Sequence, residues 1–86
     1  MSTIPTRNEI LQALIDAGSA HHDYQTNVLN GNPDEHWPGW YAAYVLGRLG
    51  DFVTPTQLSE WLAAAPFGDD WNSSASSYVF DQISGK

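Results

Sequence analysis

Apolar positions along this chain recur at intervals of three and four, the rhythm of helices that turn one face to a core. Three turn-rich stretches interrupt it: NGNPD at 30–34, GDFVT at 50–54 and PFGDD at 66–70. Four periodic segments remain, and all four read as helix.

The first segment runs from about residue 7 to 29. Thr6 and Glu9 have the spacing of a capping box, in which each side chain satisfies a free backbone N–H of the first turn. At 100° per residue, Ile10, Leu11, Leu14, Ile15, Val28 and Leu29 share one stripe. Gly18, His21, His22 and Gln25 fall on the same stripe, so the second half of the inner face is polar. Gly31 then offers a left-handed stop.

The second segment, DEHWPGWYAAYVLGRLG at 34–50, is the densest in the chain. Asp34 is placed to cap a helix whose first turn holds Glu35 and His36; alternatively the helix starts at Pro38 and residues 34–37 form a turn. Trp37, Trp40, Tyr41, Tyr44 and Val45 line one face. No acid occurs between Trp37 and Gly50. A helix apolar on most sides is expected to be central and buried.

The third segment, about 55–65, has Thr54 as N-cap, Pro55 at the first helical position and Gln57 completing a capping box. Leu58, Trp61, Leu62 and Ala65 form its inner face, and Pro66 stops it. The fourth, about 71–83, is capped by Asp69 or Asp70. Trp71, Ala75, Tyr78, Val79 and Ile83 keep helical spacing. SYVF at 77–80 has strand-like composition, but no second strand is there to pair with it. The expectation is all-α: one small four-helix domain over residues 1–86, with a buried central second helix.

Composition narrows the function. Eighty-six residues make one domain, and with no cysteine its bulk comes from four Trp, four Tyr and three Phe. The missing thiols exclude a disulfide scaffold, a thiolate nucleophile and Cys-based metal sites. A net charge of −7 argues against nucleic acid and anionic membranes, both of which need Lys and Arg. It suits a basic protein partner, and equally keeps an aromatic-rich chain in solution. No secretory leader or membrane span is read, so a cytoplasmic location is expected.

His21 lies inside the apolar stripe and needs partners for its ring nitrogens. Helix 2 offers tyrosine hydroxyls, tryptophan N–H groups, and Glu35 or Asp34 at its start. One reading is a polar cluster that fixes the first helix against the second. The other is a small pocket in which His21 acts as acid or base on a ligand, with Glu35 or a tyrosine as partner. HHD at 21–23 and DEH at 34–36 are metal-ligand types, but neither has the spacing that sets two ligands on one helix face. No metal, no cofactor and no catalytic nucleophile is assigned.

His21-x-x-Tyr24-Gln25 followed by Asp34-Glu35-x-Trp37-Pro38-x-Trp40-Tyr41-Ala42 resembles a family of small bacterial proteins. That family has His-x-x-Tyr-Glu, then Asp-Glu-x-Trp-Pro-x-Trp-Tyr-Ala, and is associated with glyoxalase/bleomycin-resistance-type neighbours. The resemblance spans residues 21–45, and its Trp-Pro-x-Trp-Tyr-Ala core is its specific part. It implies that His21, Tyr24, Trp37, Trp40 and Tyr41 belong together; it implies no activity. Gln25 departs from the family's Glu and removes a carboxylate one turn from His21.

The sequence therefore points to a non-enzymatic binding or accessory protein acting through protein–protein contact, with a protein partner or a second copy of the chain. The expected patch is the junction of the first two helices: His21, Tyr24, Gln25, Glu35, Trp37, Trp40 and Tyr41. The alternative is a small ligand-binding or catalytic domain built on His21.

Overall fold

A computed structural model describes residues 4–66 and 70–85. It contains four helices: α1 (Arg7–Asn27), α2 (Trp37–Leu49), α3 (Pro55–Ala64) and α4 (Trp71–Ile83). The all-α, four-helix architecture expected from the periodicity is present. Residues 77–80 lie within α4, and there is no strand among the described residues.

The helices close a ring. Helix α1 packs on α2 and α4, and α3 packs on the same two. The core is filled by Ile10 and Leu14 from α1, Val45 from α2, Leu58 and Leu62 from α3, and Val79 from α4, all essentially inaccessible to water. Burying side chains of this size contributes roughly 1.5–3 kcal/mol each before the entropy of ordering is subtracted.

Helix α1 starts as its capping box requires. The Glu9 N–H donates to Thr6 Oγ1 at 3.1 Å, and the Thr6 N–H donates to Glu9 Oε1 at 2.8 Å. It ends at Asn27, short of the expected residue 29, and the chain reverses through Asn30 (φ 56°) and Gly31 (φ 83°). The Gly31 N–H caps the end by donating to the Gln25 carbonyl at 2.8 Å. The buried strip is Ile10, Ala13, Leu14, Ala17 and His21. Ile15 and Val28, expected on the inner stripe, are 42% and 61% exposed. Ala13 and Ala17 are fully buried on the inward strip, Ile15 turns outward, and Val28 lies past the last residue of the helix.

Helix α2 begins at Trp37, with Pro38 in its first turn and His36 at the N-cap position; the His36 side chain makes no capping bond. Asp34 is therefore not the cap of α2, and the turn alternative describes this segment better. Burial of α2 is one-sided. Ala42, Val45 and Leu46 are buried, while Gly39, Ala43, Gly47 and Arg48 are exposed. The outer edge lacks acids because it is made of small residues, which face water at little cost. Gly50, at φ 94°, ends the helix in a backbone region that disfavours side chains.

Helix α3 is capped by Thr54, whose Oγ1 accepts from the Gln57 N–H at 3.2 Å, with Pro55 at the first position; the expected capping box is only half formed, since the Gln57 side chain makes no return bond to the Thr54 N–H. Helix α4 is capped by Asp70, which accepts from the Ser73 N–H at 3.2 Å. The other candidate cap, Asp69, lies outside the described residues. Arg7 joins the ends of the fold. Its Nε donates to Ser77 Oγ at 2.6 Å and its Nη2 to Ser73 Oγ at 2.8 Å. The serines that looked like poor helix formers thus include the anchor of α4 on α1.

Candidate functional site

The last turns of α1, the loop after it, the start of α2 and the first residue of α4 border an open, shallow cleft of about 340 Å³. His21, Gln25, Pro33, Asp34, Trp37, Tyr41 and Trp71 line it. A second cleft, of about 390 Å³, lies among Ile4, Pro5, Glu9, Leu49, Gly50, Asp51 and Phe52. It is the larger of the two, but it contains no histidine and no hydrogen-bonded acid–base pair. The chemistry is concentrated in the first.

At that cleft His21 Nε2 and Asp34 Oδ2 are 2.8 Å apart, with side chains only 10% and 11% exposed. The other Asp34 oxygen, Oδ1, accepts from the His36 N–H at 2.9 Å. One carboxylate thus shapes the turn into α2 and ties that turn to α1. The His21 hydrogen bond is the largest of the effects that hold the Asp34 carboxyl below its ordinary range; the His36 N–H acts in the same direction, against a contribution from burial. Of the two acids offered to His21 at this turn, Asp34 makes the contact; Glu35, expected with a tyrosine as the alternative catalytic partner, is exposed. Neighbouring residues in this turn point to different sides, and Asp34 is the one directed at α1.

Aromatic rings surround the pair. The His21 ring meets Trp40 edge-on at 4.9 Å, Tyr41 at 5.2 Å and Tyr24 at 6.0 Å between centroids. On one side, Tyr24, Trp40 and Tyr44 form a half-buried ladder: Tyr24–Trp40 at 5.7 Å, and Trp40–Tyr44 stacked at 5.7 Å. On the other side, Trp37, Tyr41 and Trp71 meet pairwise at 5.4–5.7 Å with interplanar angles of 83–89°. Such edge-to-face pairs add about 0.5–1.5 kcal/mol each beyond area burial. Burial pushes the Tyr41 phenol up from its ordinary value. The Tyr41 hydroxyl reaches α1 where Gly18 leaves room: a Cβ there would lie 3.4 Å from it.

The indole N–H of Trp71 is buried without a hydrogen-bond partner. Its ring stands at right angles to Trp37 and Tyr41, an arrangement in which the edge of one ring rests on the π face of the next.

The residues that the sequence brings together are together here, with one exception. His21, Tyr24, Trp40 and Tyr41 touch; Trp37 touches Tyr41; Gln25 lines the cleft. Glu35 stands outside. Asp34 takes its place, and Trp71 and Pro33 join the lining. Trp71 comes from a helix that begins more than twenty residues after α2 ends, and no local pattern announces that contact.

Among the described residues no three His, Asp or Glu side chains converge as a metal site would require. His22 and His36 are both exposed. No Ser, Thr or Cys lines the cleft. No family model, curated protein or solved structure matches this chain.

Proposed function

We propose that this protein is a non-enzymatic binding module that engages a protein partner, or a second copy of itself, through the cleft between α1, α2 and α4 and the aromatic ladder beside it. The carrying observation is the lining itself: three mutually packed aromatic rings and an oriented His21–Asp34 pair, with no Ser, Thr or Cys among the described lining residues. Half-buried Trp and Tyr beside a few fixed polar groups is the composition of a recognition surface. The pair orients whatever enters; the rings supply contact area at low entropic cost. The absence of cysteine fits a cytoplasmic setting. Among the described residues no helix is long and apolar enough to cross a membrane.

The test compares the wild-type chain with Trp40→Ala and Gln25→Arg, both half-buried positions at this surface. Self-association is read by analytical ultracentrifugation and partner capture by pull-down, with circular dichroism to verify folding. Loss of an association in folded variants supports the reading. A monomer that captures nothing, or an association indifferent to both changes, refutes it.

A second reading has one specific observation behind it. The 2.8 Å Nε2–Oδ2 contact fixes the imidazole as a carboxylate fixes a general base. In that case His21 would act on a bound molecule or water, with Asp34 rather than Glu35 as its orienter. His21→Ala separates the two readings: a folded variant that loses turnover of a bound ligand favours catalysis, and simple loss of stability favours a structural pair.

A further inference from the structure

The cleft has a sign. Among the described residues, the charged-type groups that line it are His21 and Asp34, with no Lys or Arg. Of the described cations, Arg7 is held by Ser73 and Ser77, and Arg48 by Asp16. Exposed carboxylates adjoin the lining residues in the chain: Glu35 follows Asp34, and Asp70 precedes Trp71. An anion entering here would meet the Asp34 carboxylate and a whole-chain charge of −7. A cation would meet the reverse.

The carboxylate also has capacity left. An ionised carboxyl offers about four lone-pair sites, and the structure uses one on His21 and one on His36. Trp37, Tyr41 and Trp71 stand in three nearly perpendicular planes beside it. Aromatic rings around a carboxylate attract ammonium and guanidinium groups through both the π quadrupole and the charge. Gln25 adds a neutral amide whose carbonyl can accept a further N–H.

Size and charge together select the source. A volume of about 340 Å³ holds one long side chain, not a folded surface. The flanking acids and the net charge favour several cationic groups in sequence over a single small ion. Resting on the binding-module reading above, we infer that the partner presents a basic segment, and that the cleft takes one of its lysine or arginine side chains, the cationic end set against Asp34 and its alkyl stem against Trp37, Tyr41 and Trp71.

The test uses the whole chain and a capped hexapeptide of alternating lysine and glycine, with a norleucine-for-lysine version as the neutral control and n-butylammonium chloride as the lone cation. Binding is followed by calorimetry and by the indole N–H signals of Trp37 and Trp71 in nitrogen-edited NMR spectra. The basic peptide is expected to move both signals and to bind about tenfold more weakly as salt rises from roughly 0.02 to 0.3 M. Asp34→Asn is expected to weaken it about fivefold or more, the loss of one partly buried charge contact. Glu35→Gln, an exposed change that leaves the His21 contact intact, is expected to weaken it less.

Equal binding of the norleucine peptide at the same signals would overturn the charge inference and leave the binding cleft standing. Lysine-peptide binding that moves neither indole, or that ignores both Asp34→Asn and Glu35→Gln, would place the contact elsewhere and overturn the inference. Butylammonium binding as tightly as the peptide would overturn the protein source. No binding by any of the probes would overturn the inference, while the binding-module reading is judged separately by the association of the Trp40→Ala and Gln25→Arg variants.

Discussion

Replacing Asp34 by Asn tests the most consequential contact in the molecule. Asn keeps the shape and one acceptor oxygen but loses the charge, so it imitates a protonated Asp34. In the wild type, one oxygen receives His21 Nε2 at 2.8 Å and the other receives the His36 N–H at 2.9 Å. A hydrogen bond to a charged group contributes about 1.5–3 kcal/mol, and a neutral one about 0.5–1.5. Asn can serve one of the two donors with its oxygen and presents an N–H₂ group to the other. At pH 7 the expected loss is therefore about 1–2 kcal/mol, against a total for a domain of this length of roughly 4–13. The sign with pH follows from the lowered Asp34 carboxyl. A group whose folded value lies below its unfolded one stabilises fully above the unfolded value, here near 3.8, and loses that contribution as pH falls through the folded value. Urea titrations of both proteins at pH 7 and in steps below pH 4 measure the difference. It should be largest at neutral pH and close as the wild type protonates. A gap that stays constant to the acid limit, or one under about 0.5 kcal/mol at pH 7, would refute the assigned role of the carboxylate.

Leu62→Ala removes a side chain with no measurable exposure and should cost about 2–5 kcal/mol, read as a fall in urea midpoint at unchanged slope. Arg7→Ala leaves Ser73 and Ser77 without their donor and loosens α1 from α4; about 1–2 kcal/mol of destabilisation is expected, with faster amide exchange in α4 as the local sign. Gly31→Ala places a methyl-bearing residue at φ 83° and should cost about 1 kcal/mol in thermal unfolding, with the cleft unchanged.

The sequence made legible what local chemistry decides. Thr6 with Glu9, Thr54 before Pro55, and Asp70 each sit where a capping side chain must sit, and each caps. Helical spacing located Leu14, Leu58, Leu62 and Val79 in the core. What it left open depends on geometry between elements. The strip of α1 that faces inward is set by its contacts with α2 and α4, and it includes Ala13 and Ala17, which carry little hydrophobic weight in a sequence pattern. Asp34 and Glu35 are adjacent carboxylates of similar chemistry; only the backbone of the turn before Trp37 decides which reaches His21. Trp71 reaches Tyr41 across a distance in sequence that no short pattern encodes. The half-burial of Trp40 and Tyr44 follows from the Gly and Ala edge of α2, which looked apolar but presents little that needs covering.

The ring of helix contacts bears on how the chain folds. Contacts of α1 with α2, α2 with α3, and α3 with α4 join neighbours in sequence and close short loops. The contact of α4 with α1, held partly by Arg7, brings together residues about seventy positions apart, so its closure is entropically the costliest. Trp71 belongs to α4, so its contacts with Trp37 and Tyr41 depend on where α4 is held against the other helices. Partial opening at the α1–α4 seam would dismantle the aromatic wall while leaving the His21–Asp34 contact, which needs only α1 and the turn before α2. If the seam closes last, the proposed binding surface has one half that forms late and one that forms early, and hydrogen exchange should find the amides of α4 opening ahead of those flanking His21. Whatever binds across both halves would hold the seam shut, and its affinity would register as resistance of α4 to exchange.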